Sequence, residues 1–154
     1  MLQAGDKTPD VTLTDADGTA FALSRFGGKP LVVYFYPKAD TPGCTNEAKD
    51  FTELAGGFAN AGVPVIGVSR DKPAKLAKFR DKYDLNVVLA SDEEGAVCEA
   101  FGTWIEKSLY GRSYMGIARA TFLIGADGTI LRVWPKVKVK GHAAEVLEAV
   151  NALG

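Results

Sequence analysis

The sequence is poor in the side chains that cross-link small proteins or hold metals. Among 154 residues it has two cysteines, Cys44 and Cys98, and one histidine, His142. A structural zinc site draws its four ligands mainly from these residue types, and no ligand spacing is present, so we expect no metal. Gly27-Gly28-Lys29 lacks the spacing of a phosphate-binding loop, so we expect no nucleotide cofactor either.

The chain also lacks an excess of charge and a long apolar run. Its 18 basic and 19 acidic side chains leave a net charge of −1, which gives no electrostatic reason to bind nucleic acid or an anionic membrane. The longest apolar run, residues 31–36, is too short to span a bilayer, and residues 1–10 contain no signal-peptide core. We therefore expect a cytoplasmic protein without nucleic-acid or membrane partners. Thiols stay reduced in that compartment, so the cysteines serve chemistry or packing.

Strand patterns alternate with helix patterns along the whole chain, without a linker or a repeat. This predicts one domain over residues 1–154. Strands are predicted at 11–13, 21–23, 31–36, 63–68, 87–90, 121–124 and 129–133. Helices are predicted at 44–59, from 71 to 83, from a capping box at 91–94 to 101, and from 142 onward.

These elements predict an α/β fold with a mixed central sheet, helices on both of its faces and an N-terminal β-hairpin. Apolar runs such as residues 31–36 are typical of strands that are covered on both faces. Asp-Gly turns at 17–18 and 127–128 indicate hairpins, so part of the sheet is antiparallel. Ligands in such sheets bind beyond the carboxyl ends of strands, which is where residues 37–44 lie.

Cys44 is the candidate nucleophile, because it falls in the first turn of a predicted helix. There, free N–H groups and the helix dipole favour the reactive thiolate over the thiol. Thr41 can present its hydroxyl to the sulfur, Gly43 allows close backbone approach, and Pro37 can shield the sulfur from water. The alternative from the residues alone is that Cys44 is a small buried apolar side chain.

The spacing Pro37-x-x-x-Thr41-x-x-Cys44 resembles the active-site signature of peroxiredoxins. The longer string at 35–45 resembles the bacterioferritin comigratory protein (peroxiredoxin Q) branch of that family. Further strings at 71–73, 91–92, 97–104 and 106–108 resemble the same branch in the same order. The resemblance runs from about Gly5 to the C-terminus.

This resemblance implies a thioredoxin-like fold, often monomeric, that reduces hydrogen peroxide and organic hydroperoxides. In the implied reaction the Cys44 thiolate attacks a peroxide oxygen and becomes a sulfenic acid. The implied hydrogen-bond donors are the Thr41 hydroxyl, the N–H groups of Gly43 and Cys44, and the guanidinium of Arg119. The alternative for Arg119 is an arginine at the surface of an edge strand.

The chain departs from the branch at Lys49, where many members carry a resolving cysteine five residues after the nucleophile. We therefore expect a one-cysteine cycle in which thioredoxin, or glutaredoxin with glutathione, reduces Cys44 through a mixed disulfide. Cys98 is expected to pack in the core, although a role as resolving cysteine stays open.

Two other functions remain open at this point. The chain can be a redox sensor or holdase whose Cys44 is oxidised without efficient turnover, a reading that Lys49 favours. It can also be a Cys-His hydrolase with His142 as the base. His142 is expected instead to be a polar cap at the start of the last helix.

Overall fold

The computed structural model describes all residues from Met1 to Gly154. In chain order the elements are β1 Thr12–Asp15, β2 Ala20–Ala22, β3 Leu31–Phe35, α1 Pro42–Glu53, α2 Ala55–Asn60, β4 Val65–Ser69, α3 Pro73–Tyr83, β5 Val88–Ser91, α4 Ala96–Phe101, β6 Trp104–Leu109, β7 Arg112–Ile117, β8 Ala120–Ile124, β9 Ile130–Trp134 and α5 His142–Asn151. None of the helices has both the length and the apolar character needed to cross a membrane.

Seven strands form one mixed sheet in the order β2-β1-β5-β4-β3-β8-β9. The three middle strands β5, β4 and β3 are parallel, whereas β1, β8 and β9 run antiparallel to their neighbours. Strands β3, β4 and β8 are buried along their whole length, as their largely apolar sequences predict. The predicted mixed α/β sheet with an N-terminal β-hairpin is confirmed.

The core consists of two apolar clusters, one on each face of the sheet. Alternate residues of β3 divide between them: Val32 and Tyr34 join the first cluster, and Val33 and Phe35 join the second. The first cluster also takes in side chains of α1, α3 and α5, and the second those of α4. Cys44 belongs to the first cluster and Cys98 to the second. The two thiols therefore lie on opposite faces of the sheet.

Two predicted helices differ from the observed ones. The helix predicted at 44–59 is interrupted at Leu54, which ends α1 and begins α2. Gly57, just after the break, lets α2 approach α5, since a Cβ there would lie 2.8 Å from Leu147 Cδ2. The capping box predicted at Ser91 is wrong: Ser91 belongs to β5, and α4 begins only at Ala96.

The hairpin of β6 and β7 was not predicted. Its six register pairs run from Trp104 opposite Ile117 to Leu109 opposite Arg112, and it stands apart from the main sheet. Its strands mix lysine, serine, glycine and exposed apolar residues, so the apolar alternation that marks a half-buried strand is weak. The turn residues Tyr110 and Gly111 both have positive φ, which suits a two-residue hairpin turn.

Candidate active site

Cys44 lies in the first turn of α1. Thr41 is the N-cap in an extended conformation, and Pro42, which has no N–H, opens the helix. The first backbone hydrogen bond of the helix is donated by Thr45 N–H to the Thr41 carbonyl, at 2.8 Å. The N–H groups of Gly43 and Cys44 precede it and have no carbonyl partner in the helix. They are therefore free to donate hydrogen bonds at the helix end that carries the sulfur.

Arg119 joins the sulfur to a buried carboxylate. It lies between β7 and β8, and its Nη2 donates to Cys44 Sγ at 3.3 Å. Its Nη1 donates to Glu47 Oε1 at 2.7 Å. Gly43 permits this approach, because a Cβ at that position would lie 3.1 Å from Arg119 Nη2. The structure thus brings Gly43, Cys44 and Arg119 together, as the resemblance implies.

Glu47 is the member of this cluster whose place in the site was not recognised in the sequence. It is 1% exposed and lies one helical turn after Cys44, on the same face of α1. Burial raises the pKa of Glu47 to about 7, because loss of hydration outweighs the attraction of Arg119. The sequence signal that could have identified Glu47 was an acidic residue three positions after the candidate nucleophile, on a helix face that is otherwise apolar.

The electrostatics of Arg119 follow from its two partners. Burial alone would lower the pKa of Arg119, but attraction to Glu47 and to the Cys44 sulfur outweighs burial and raises it. The guanidinium therefore stays charged, and it places a fixed cation within hydrogen-bond distance of the Cys44 sulfur.

We expect Glu47→Gln to change the pH dependence of stability. Because the folded-state pKa lies above the ordinary value of 4.5, the folded protein binds this proton more tightly than the unfolded chain does. The free energy of unfolding should therefore fall as pH rises from about 4.5 to about 7, by up to about 3 kcal/mol. Urea unfolding across this pH range should show that slope, and Glu47→Gln should remove it. Glu148→Gln, an exposed change on α5, is the matched control and should retain the slope.

The loop between β3 and α1 is tied to the α3 side of the fold. The Ala39 N–H donates to Asp71 Oδ2 at 2.7 Å. Asp40 has a left-handed φ of 62° and accepts hydrogen bonds from Lys82 Nζ at 3.0 Å and from the Tyr83 hydroxyl at 2.6 Å. These contacts fix the loop that carries the predicted residues Pro37 and Thr41.

Thr41 and Pro37 both belong to this loop, with different surroundings. The Thr41 hydroxyl donates to the Lys38 carbonyl at 2.8 Å and not to the sulfur, which differs from the donor role expected for it. Its lone pairs remain available to accept a hydrogen bond. Pro37 is exposed, directly after the buried Tyr36. Lys49, at the position of the branch's usual resolving cysteine, places its Nζ 5.1 Å from the centre of the Tyr83 ring.

Cys98 lies in a different environment from Cys44. It is fully buried in α4, and burial followed by hydrogen bonding to Asp92 raises the pKa of its thiol far above the ordinary value. The Asp92 carboxylate also accepts the N–H groups of Val97 and Cys98, at 3.1 and 2.7 Å. The thiol form is favoured there, as for a packing residue.

His142 neither caps α5 nor forms a hydrogen bond with Cys44. Gly141 is the N-cap, and the His142 side chain makes no capping bond, so the predicted cap is wrong. Its Nε2 is hydrogen-bonded to Thr121 Oγ1 at 2.8 Å, and burial lowers its pKa to about 4. No group of three or more histidine, cysteine or acidic side chains is placed to hold a metal ion.

The fold and the site together define a class: a mixed-sheet α/β protein with a buried cysteine at a helix N-terminus beside a fixed cation. Comparison with known proteins identifies the family of this chain. The model of the AhpC/TSA family matches residues 4–133. The chain is 48% identical over 146 residues to peroxiredoxin Bcp of Escherichia coli K12, covering 95% of this chain and 94% of that protein. It is 44% identical over 150 residues to peroxiredoxin Bcp of Bacillus subtilis, covering 97% and 96%.

Solved structures agree with these sequence relatives. The bacterioferritin comigratory protein of Xanthomonas campestris, whose structures were reported with its alkyl peroxide reduction activity, superposes with a TM-score of 0.91 at 40% identity, covering 98% of each chain. BcpB of Mycobacterium tuberculosis superposes with a TM-score of 0.88 at 35% identity, covering 100% of this chain and 99% of that one. The predicted thioredoxin-like fold is confirmed by these neighbours.

The chain belongs to the AhpC/TSA family, in its bacterioferritin comigratory protein (peroxiredoxin Q) branch, and is a thiol-dependent peroxidase.

Proposed function

We propose that the chain reduces hydrogen peroxide and organic hydroperoxides with Cys44 as its single catalytic cysteine. The observation that carries this proposal is the hydrogen bond from Arg119 Nη2 to Cys44 Sγ at the free N-terminus of α1. That arrangement favours a thiolate, and the thiolate is the nucleophile in thiol chemistry.

In the proposed reaction the Cys44 thiolate attacks the terminal peroxide oxygen. The O–O bond breaks, Cys44 becomes a sulfenic acid, and water or an alcohol leaves. The N–H groups of Gly43 and Cys44, together with Arg119, donate to the oxygens as negative charge develops on them. The Thr41 hydroxyl oxygen accepts a hydrogen bond from the peroxide O–H, because its own hydrogen is donated to the Lys38 carbonyl. Pro37 limits the access of water to the sulfur.

We propose that an external thiol, from thioredoxin or from glutaredoxin with glutathione, attacks the Cys44 sulfenic acid, breaks its S–O bond with release of water and forms a mixed disulfide. A second thiol of the reductant then attacks the mixed disulfide and frees the Cys44 thiol. We propose that the chain acts as a monomer, and two observations support a one-cysteine cycle. Lys49 occupies the position of the usual resolving cysteine, and Cys98 lies in the core on the other face of the sheet. The cytoplasm, where such reductants are found, is the proposed location.

Cys98→Ser tests this cycle. We expect turnover of hydrogen peroxide with thioredoxin, or with glutathione and glutaredoxin, to stay within about twofold of wild type. A buried serine hydroxyl can destabilise the fold, so Cys98→Ala serves as the apolar control. Peroxide consumption is followed through NADPH oxidation in each reductant system.

Two results would contradict these proposals. If both Cys98 variants are oxidised normally by peroxide but fail to turn over, Cys98 is the resolving cysteine and the one-cysteine cycle is wrong. If wild type is oxidised once and no thiol system regenerates it, the chain is a redox sensor rather than an efficient peroxidase.

A further inference from the structure

The segment between β9 and α5, residues 135–141, crosses the edge of the sheet at which the reaction centre lies. Strand β3 pairs with β8, and β8 pairs with β9, both in antiparallel fashion. The C-terminal ends of β3 and β9 and the N-terminal end of β8 therefore share one edge of the sheet. The loop to Cys44 leaves β3 at this edge, Arg119 directly precedes β8 there, and residues 135–141 leave β9 there.

Two contacts hold this segment beside the reaction centre. The Val137 N–H donates to the Arg119 carbonyl at 2.9 Å. The Val137 side chain is partly buried and packs against the apolar cluster that contains Cys44. Since Arg119 Nη2 donates to Cys44 Sγ at 3.3 Å, a single arginine joins the segment to the reactive sulfur.

Lysines alternate with valines along the segment. Lys136, Lys138 and Lys140 are exposed, whereas Val137 and Val139 are partly buried. The valines therefore face the protein, and the lysines between them face solvent. None of these three lysines forms a salt bridge, although other lysines of the chain do.

Lys38, on the loop between β3 and α1, is a fourth exposed lysine without a salt bridge. The nearby carboxylates of this edge are paired with other cations: Asp40 with Lys82, Asp71 with Lys75 and Glu47 with Arg119. Asp50 and Glu53 lie farther along α1, in a groove with Gly141. Uncompensated positive charge is thus concentrated at this edge of a chain whose net charge is −1. It forms a basic surface of four lysines: Lys38, Lys136, Lys138 and Lys140.

The basic surface suits the reductant better than the peroxide, because the O–OH group of a peroxide is uncharged near neutral pH. The second reactant of the proposed cycle is the reducing thiol. Cys44 is only 2% exposed, so that thiol needs to be held in a fixed orientation above it. Lys38 and the lysines after β9 lie on the two sides of Arg119 along the sheet edge. A protein can contact all four lysines at once, whereas a small thiol contacts only part of the surface.

We propose that the basic surface docks an acidic protein, the reductant whose thiol attacks the Cys44 sulfenic acid. Opposite charges on the two faces speed the encounter and orient the partner, so that its thiol lies over Cys44. In the step that follows, the S–S bond of the mixed disulfide forms, the S–O bond breaks and water leaves. This docking role rests on the proposed peroxidase function of Cys44.

The test measures kcat/KM for two protein reductants, reduced thioredoxin and reduced glutaredoxin, in assays coupled to NADPH oxidation. Lys136→Gln/Lys138→Gln should lower kcat/KM at low ionic strength by on the order of tenfold, with kcat largely retained. Lys136→Glu/Lys138→Glu should lower it further, because it reverses the charge. The difference from wild type should shrink at high ionic strength, since salt screens exposed charges.

Two controls separate docking from general effects of charge. Lys29→Gln/Lys78→Gln removes the same charge from exposed lysines, one before β3 at the opposite edge of the sheet and one on α3, so we expect the wild-type kcat/KM. Dithiothreitol is a small uncharged reductant, so its rate of reaction with the sulfenic acid should not depend on the basic surface. Thermal unfolding of each variant checks the fold.

An unchanged kcat/KM for both protein reductants in Lys136→Gln/Lys138→Gln at low ionic strength overturns the proposal. An equal loss with dithiothreitol, or in the oxidation of Cys44 by hydrogen peroxide, also overturns it, because the lysines then act on the sulfur and not on a partner. Binding of short duplex DNA that the variant loses, with an unchanged reductive rate, assigns the surface to nucleic acid and overturns it as well.

Failure of the proposed function is recognised separately. If peroxide does not oxidise Cys44 in wild type, the peroxidase function fails, and the docking role fails with it. If Cys44 is oxidised normally but neither protein reduces it, only the docking proposal is wrong.

Discussion

Replacing Cys44 with serine is expected to reduce peroxide consumption to the rate without enzyme, in every reductant system. A serine hydroxyl is not ionised near neutral pH, so Arg119 and the helix N-terminus cannot convert it into a strong nucleophile. Serine is close to cysteine in size, so the contacts of α1 are retained. Peroxide consumption and mass spectrometry of the oxidised protein measure the effect.

Cys98→Ser is the matched control for this change, because it removes the other thiol from the opposite face of the sheet. We expect the sulfenic acid to form in Cys98→Ser and to be absent in Cys44→Ser. Should Cys44→Ser consume peroxide at the wild-type rate, the nucleophile lies elsewhere, and the proposed site is wrong.

Arg119→Met is expected to have the second largest effect. It removes the donor that lies 3.3 Å from Cys44 Sγ. Loss of one such donor slows comparable reactions by roughly 10²- to 10³-fold, and we expect a similar loss in the rate of Cys44 oxidation. Stopped-flow oxidation by hydrogen peroxide measures it, and the ultraviolet absorbance of the thiolate reports how much Cys44 is ionised.

The same change also affects folding, because it leaves the buried Glu47 without its partner. Removing one member of a buried ion pair typically costs about 3–5 kcal/mol. We expect a smaller cost here, because the buried Glu47, whose pKa is already raised to about 7, can take up a proton. The double variant Arg119→Met/Glu47→Gln removes both charges and should recover stability without recovering rate. Arg132→Met is the control, since Arg132 pairs with Glu145 at 3.3 Å on a half-exposed surface. A double variant that regains the wild-type rate would show that Arg119 acts only through folding.

Local sequence was sufficient to predict those helices and strands whose determinants lie close together in the chain. Pro42 without an N–H, Thr41 as N-cap and Cys44 in the first turn follow from a few consecutive residues, so the start of α1 was predictable. The apolar runs of β3 and β4 predicted strands covered on both faces for the same reason. The break at Leu54 was not evident, because it accompanies packing of Gly57 against Leu147 of a distant helix.

Predicting the site from the sequence would have required knowledge of contacts between distant parts of the chain. Arg119 is 75 residues from Cys44, and its placement beforehand came from resemblance rather than from periodicity or spacing. Glu47 was visible as an acidic residue in a helix, but nothing local indicated that it would be 1% exposed and paired with Arg119. The hairpin of β6 and β7 was missed because its exposed strands lack a clear apolar pattern.

The sequence by itself determined the helix start that carries Cys44, the proposed nucleophile, because a helix N-terminus is a local structure with local signals. Only the tertiary structure decided which distant cation meets the sulfur, which carboxylate holds that cation, and that the second cysteine is separated from the first by the sheet. Those outcomes depend on how β3 and β8 pair and on which face each helix covers. Such pairings are set by packing across the whole domain and leave no signature in any short stretch of chain.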